Sequence, residues 1–143
     1  MGKTLFLACI TVVLAAPVNA ADSERVPVSV SRAQFTSGIQ EREPVDNLIE
    51  LDGDSELVYF YTELNNMTDR EVLHSWEYQG QVMSSIRFRV DGPRWRIWSN
   101  KTLTPERNGQ WRVTVMDDAG NILIEKTLDY NLGDPALELT SIY

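Results

Sequence analysis

The chain has 143 residues, 43% of them hydrophobic, and its 13 Lys and Arg face 21 Asp and Glu for a formal net charge of −8. That length is enough for one hydrophobic core and too short for two. The acidic balance argues against unaided binding to nucleic acid or to an anionic membrane.

Residues 1–20 have the order of an export signal: Lys3, an unbroken apolar run from Leu5 to Ala16, then Pro17 and the small-residue ending Val18-Asn19-Ala20. Cleavage is expected before Ala21. The apolar run is about a dozen residues, short of the roughly 20 that a membrane-spanning helix needs, so no transmembrane anchor is expected. Cleavage removes Cys9, the only cysteine, and the remaining chain can form no disulfide even in the oxidising periplasm to which the signal directs it. Residues 21–31 are then a lead-in with the first part of a strand, 32–130 the folded domain, and 131–143 a tail.

Past the signal, apolar residues fall in short runs separated by Gly, Pro, Asn and Asp, which is strand patterning with no amphipathic helix. The first strand covers 28–37. Its apolar positions change parity between Val30 and Ala33, so a bulge or a crossing between sheets is expected near Ser31-Arg32. Residues 39–54 are polar and read as a long connection. A second strand covers 56–64, and a pair at 73–79 and 82–90 is joined at Gly80-Gln81. Asp91-Gly92-Pro93 separates this pair from a strand at 94–101. The last two, 111–116 and 122–130, flank a hairpin turn at 117–121. About seven strands without intervening helices predict an all-β fold, an immunoglobulin-like antiparallel β-sandwich.

The chain resembles domain of unknown function family 2914, a bacterial family, through ordered blocks over roughly 32–130. They are Arg32-Ala33-Gln34-Phe35-Thr36-Ser37-Gly38-Ile39 with Arg42-Glu43-Pro44, Val58-Tyr59-Phe60-Tyr61-Thr62-Glu63-Leu64, His74-Ser75-Trp76-Glu77-Tyr78, Arg94-Trp95-Arg96-Ile97-Trp98-Ser99-Asn100-Lys101, and Gly109-Gln110-Trp111-Arg112-Val113. The resemblance implies the β fold and the exported compartment. It implies no activity.

Charge is unevenly spread along the chain. Ten acidic residues lie between Glu41 and Glu71 against Arg42 and Arg70, whereas seven basic residues lie between Arg87 and Arg112 against Asp91 and Glu106. Period-two alternation sends Ile86, Phe88, Val90, Trp95 and Ile97 inward, and Arg87, Arg89, Arg94, Arg96 and Trp98 outward. Four guanidiniums around one exposed indole form a candidate ligand-binding face for an anionic glycan, a lipid headgroup or an acidic envelope protein. The competing reading pairs these arginines with acids such as Glu77 on neighbouring strands. Self-association, with the basic face meeting the acidic segment of another copy, is a further expectation.

His74, the only histidine, shares parity with Trp76 and reads as a partly buried, hydrogen-bonded residue; its sharper reading is a general base or metal ligand. The acidic run Asp52-Gly53-Asp54-Ser55-Glu56 with Glu63 has a superficial calcium-loop spacing, but Leu57 stands where that loop requires glycine. No catalytic residue, metal or cofactor is expected. The function anticipated is a non-catalytic binding module of the cell envelope. A structural subunit of a periplasmic complex or homo-oligomer is the alternative, and a hydrolase or metal-dependent enzyme is less favoured.

Overall fold

The structure, a computed structural model, describes residues 28–53 and 56–132; the predicted signal peptide, most of the lead-in, Asp54, Ser55 and the tail from 133 fall outside that range. In chain order the strands are β1 Ser29–Thr36, β2 Ile39–Gln40, β3 Glu43–Pro44, β4 Glu50–Asp52, β5 Glu56–Asn65, β6 Glu71–Tyr78, β7 Gln81–Arg89, β8 Arg94–Leu103, β9 Gly109–Asp117 and β10 Ile122–Asn131. A 3-10 turn, Pro105–Arg107, precedes β9. Among the described residues no helix is long and apolar enough to cross a membrane.

Seven long strands and the short β4 build two facing sheets, of order β1-β5-β8 and β4-β10-β9-β6-β7. Pairing is antiparallel except that the short β4 lies parallel to β10. Alternation along each strand gives each sheet one apolar face. On β5 the buried Val58, Phe60 and Leu64 point inward, and on β9 Trp111, Val113 and Val115 do the same. Rings interlock across the gap, with Phe35 and Phe60 edge-on to Trp76 at 5.8 and 6.5 Å between centroids. Since Phe60 is fully buried, truncation to Ala costs about 3–5 kcal/mol.

The parity change in the first strand is a bulge: Val30 faces Leu64 and Arg32 faces Glu63, leaving Ser31 as the extra residue. The β6–β7 hairpin turns on Gln79-Gly80, both at positive φ, and the β9–β10 hairpin matches its expected place.

Two expectations are corrected. The 39–54 connection contains three short strands: β2 and β3 pair with each other, and the pairing of β4 is set by β10, far along the chain, so no local pattern records it. The second correction bears on the site. β7 pairs with β6 and β8 with β5, so the chain crosses from one sheet to the other between them. Pro93 lacks an N–H to continue a ladder. Residues 90–93 bond instead to the parallel crossing between β5 and β6, through Val90 N to Arg70 O at 2.9 Å, Asp69 N to Val90 O at 2.8 Å and Asn66 N to Pro93 O at 2.8 Å.

Candidate binding face

Because β7 and β8 belong to different sheets, their outward residues do not form one face as the sequence pattern suggests. Arg87 and Arg89 lie on the outer side of the five-stranded sheet, where Arg87 pairs with Glu71 at 3.0 Å and Arg89 with Asp69 and Asp91 at 3.1 and 3.2 Å. Arg94, Arg96 and Trp98 lie on the outer side of the three-stranded sheet. Trp98 points outward there as expected, but is half-buried. Arg89 meets Arg96 and Trp98 only along the seam between the two edge strands, in a shallow groove of about 220 Å3 floored by Phe88, Trp95 and Ile97. The expected partner of the arginines, Glu77, is taken by Arg112 across the β6–β9 pair at 3.0 Å.

Register across β1, β5 and β8 builds the outer face row by row: Gln34, Tyr61 and Trp98 stand abreast, and next to them Arg32, Glu63 and Arg96. Arg94 follows opposite Asn65. The centre is Glu63, whose side chain is only 7% exposed. It accepts hydrogen bonds from Arg94 Nη2 at 2.9 Å, Arg32 Nη2 at 3.1 Å, Arg96 Nε at 3.3 Å and Ser31 Oγ at 2.9 Å. Ser31 reaches this carboxylate because the bulge turns it toward β5. The Arg94 hydrogen bond is the largest cause holding the Glu63 carboxyl down to about 2, with burial opposing it and Ser31, Arg32 and Arg96 adding to it. A buried charge needs this many partners, and three guanidiniums supply them.

Arg32 does more than bridge. Its guanidinium carbon sits 5.1 Å from the Tyr61 ring centre and its Nη2 donates to the Tyr61 hydroxyl at 2.9 Å, which leaves that tyrosine fully buried on an outer face. A second carboxylate comes from the β2–β3 hairpin. Glu43 Oε2 lies 2.6 Å from Arg32 Nη2 and its Oε1 2.9 Å from Arg96 Nη2. This hairpin turns on Glu41 and Arg42, at φ 51° and 65°. Positive φ at both central positions is a turn normally given to Asn and Gly, and a non-glycine residue there stores about 1–3 kcal/mol of strain. The neighbouring Arg42 guanidinium lies 5.9 Å from the Trp95 ring centre, tying the hairpin tip to β8.

In charge the cluster sums to three cations, Arg32, Arg94 and Arg96, against two carboxylates, Glu43 and Glu63. Arg94 is the most open member, with 59% of its side chain exposed. The face thus presents spare guanidinium donors beside a half-buried indole and suits a carboxylate or phosphate group.

His74 takes no part in it. The ring is completely buried between the sheets, more so than the partial burial anticipated, with Nε2 3.0 Å from Thr62 Oγ1 and Nδ1 2.9 Å from Ser99 Oγ. Trp76 Nε1 also donates to Ser99 Oγ at 2.9 Å. Two residues of each sheet therefore share one polar cross-link inside the core. Burial pushes the His74 pKa down to about 3, so the ring is neutral at pH 7, one nitrogen donating and the other accepting. The run at 52–56 is only partly within the described residues, and its proposed partner Glu63 is committed to arginines. Among the described residues no group of three His, Cys, Asp or Glu side chains is placed to hold a metal ion.

Arg32, Glu43, Tyr61 and Glu63 were not anticipated as members of the site. A signal for two of them exists: Tyr61 and Glu63 fall on the polar parity of β5, and an acid in so apolar a strand needs a cation opposite it. Which cation it finds depends on the register with β8.

The model of a family described as protein of unknown function (DUF2914) matches residues 69–129, from the β5–β6 crossing to the last turn of ladder in β10. Over this span the chain is similar to that family. No curated protein matches the chain.

Proposed function

We propose that this chain, with its DUF2914 region spanning 69–129, is an exported, non-catalytic binding module of the bacterial envelope that recognises an anionic partner through the outer face of its three-stranded sheet. The signal-like segment at 1–20 supports export to the periplasm. The strand order, with β5–β6, β7–β8 and β8–β9 crossing between two sheets and β6–β7 and β9–β10 forming hairpins within one, is in keeping with an immunoglobulin-like topology. The observation that carries the proposal is the convergence of Arg32, Arg94 and Arg96 on one buried carboxylate. Glu63 fixes three long side chains in place in advance, so little ordering cost remains when a ligand arrives.

The test is binding to anionic envelope material, measured at two salt concentrations, with Arg94→Glu against the parent protein. Arg94 is chosen because it is the most exposed of the three and its loss leaves Glu63 with Arg32 and Arg96. Binding that weakens with salt and is lost in the variant is expected. Unchanged binding by a folded Arg94→Glu protein defeats the proposal.

The second reading is a structural subunit or homo-oligomer, favoured by the nine-residue β7, which is an edge strand among the described residues and where Val82 is 55% exposed. It predicts a dimer by sedimentation or a periplasmic partner recovered by crosslinking. A monomer at every concentration, with no partner captured, removes it.

A further inference from the structure

We infer that Glu43 is an internal stand-in for the ligand, and that the site's proper occupant is a carboxylate-bearing partner, an acidic peptide segment, which displaces the β2–β3 hairpin from Arg32 and Arg96. This rests on the reading of the outer face as the binding surface.

Four observations support it. The two carboxylates of the cluster differ in kind: Glu63 is 7% exposed and held by three arginines and a serine, whereas Glu43 is 40% exposed and held by two arginines alone. One is framework and the other is exchangeable. Second, the grip on Glu43 is that of a planar two-oxygen group, with Oε2 on Arg32 at 2.6 Å and Oε1 on Arg96 at 2.9 Å. The same grip fits any carboxylate. Third, the hairpin that delivers it is fastened at its base, by Val45 N to Gly38 O at 3.1 Å and by Asp46 to Thr36 and Ser37, and at its tip by the Arg42–Trp95 contact and the Glu43 ion pairs themselves. It has two residue pairs, Ile39 with Pro44 and Gln40 with Glu43, belongs to neither main sheet, and turns on two non-glycine residues at positive φ. So short a hairpin has no independent stability. Fourth, departure of Glu43 leaves Arg32, Arg94 and Arg96 anchored to Glu63, so the site gains a unit of positive charge without losing its shape. The half-buried Trp98 then borders the vacated fork, giving a peptide backbone or side chain a flat surface to lie on.

The probe is an end-blocked decamer of glutamate, titrated against the mature chain by calorimetry at low salt. Glu43→Gln keeps the hairpin's size and removes the competitor, and Glu77→Gln, on the other sheet, makes the same change in net charge. Expected is an affinity about tenfold higher for Glu43→Gln than for the parent, no change for Glu77→Gln, and loss of binding for Arg94→Glu. Equal affinities for the parent and Glu43→Gln overturn the stand-in role while leaving the binding face intact. Binding to phosphatidylglycerol vesicles but not to the peptide overturns the carboxylate assignment and leaves anion recognition standing. Absence of binding to both probes by all variants overturns the two together.

Discussion

Acid should weaken this fold from about pH 6.5 downward, and the cause is His74. In the unfolded chain the imidazole has an ordinary pKa near 6.5, while in the folded chain burial holds it at about 3. The folded state refuses a proton that the unfolded state accepts. Stability is therefore complete above about pH 6.5 and declines as pH falls from there toward 3, by about 1.4 kcal/mol per unit once well inside the window. At about pH 5 the loss is about 2 kcal/mol, a large part of a small domain's total. The upper half of this window is clean. Glu63 and Asp117 are held at about 2, below their ordinary 4.5 and 3.8, so their contributions are lost only at lower pH. Urea unfolding followed by tryptophan fluorescence at about pH 7.5, 6.5, 5.5 and 5 measures the decline, provided the denaturant slope stays constant. His74→Gln, less stable at neutral pH because it spans Thr62 and Ser99 imperfectly, should show no decline over the same range. A parent protein as stable at pH 5 as at pH 7, or a variant with the parent's slope, would refute the assignment.

Other perturbations test the cluster and the cross-link. Glu63→Gln leaves three guanidiniums facing a neutral amide and should cost about 3 kcal/mol, read as a lower urea midpoint. Ser99→Ala removes the shared partner of His74 Nδ1 and Trp76 Nε1, leaving buried polar atoms unsatisfied at a cost of about 2–3 kcal/mol. Glu41→Asn places a residue tolerant of positive φ in the strained hairpin and should raise stability by about 1 kcal/mol, measurable as a higher melting temperature. Double-mutant cycles with Glu43 and Arg32 should give a coupling smaller than that of Glu63 with Arg94, since only the latter carboxylate is desolvated.

What the amino-acid sequence determined alone was everything carried by local alternation and turn chemistry. The parity of Val58, Phe60 and Leu64 placed β5 with its apolar face inward, Asp117 to Asn121 marked the last hairpin, and the phase change between Val30 and Ala33 marked an irregularity near Ser31-Arg32 that the register shows to be a bulge. These signals are short-ranged because a strand's period is two and a tight turn spans a few residues. The same alternation correctly assigned Arg94, Arg96 and Trp98 to an outer face.

Only tertiary structure decided which outer face each residue shares. Strand parity says inside or outside and is silent on which sheet a strand joins. The crossing at 90–93 is held by hydrogen bonds to Asn66, Asp69 and Arg70, 20 to 27 positions earlier in the chain, and it separates Arg87 and Arg89 from Arg94 and Arg96. Likewise, nothing near Glu43 in the chain announces that Arg32 and Arg96 will reach it. A polar stretch in which the hydrogen-bonding partners are distant strands has no periodicity to betray it, and there the site was assembled by register and sheet order.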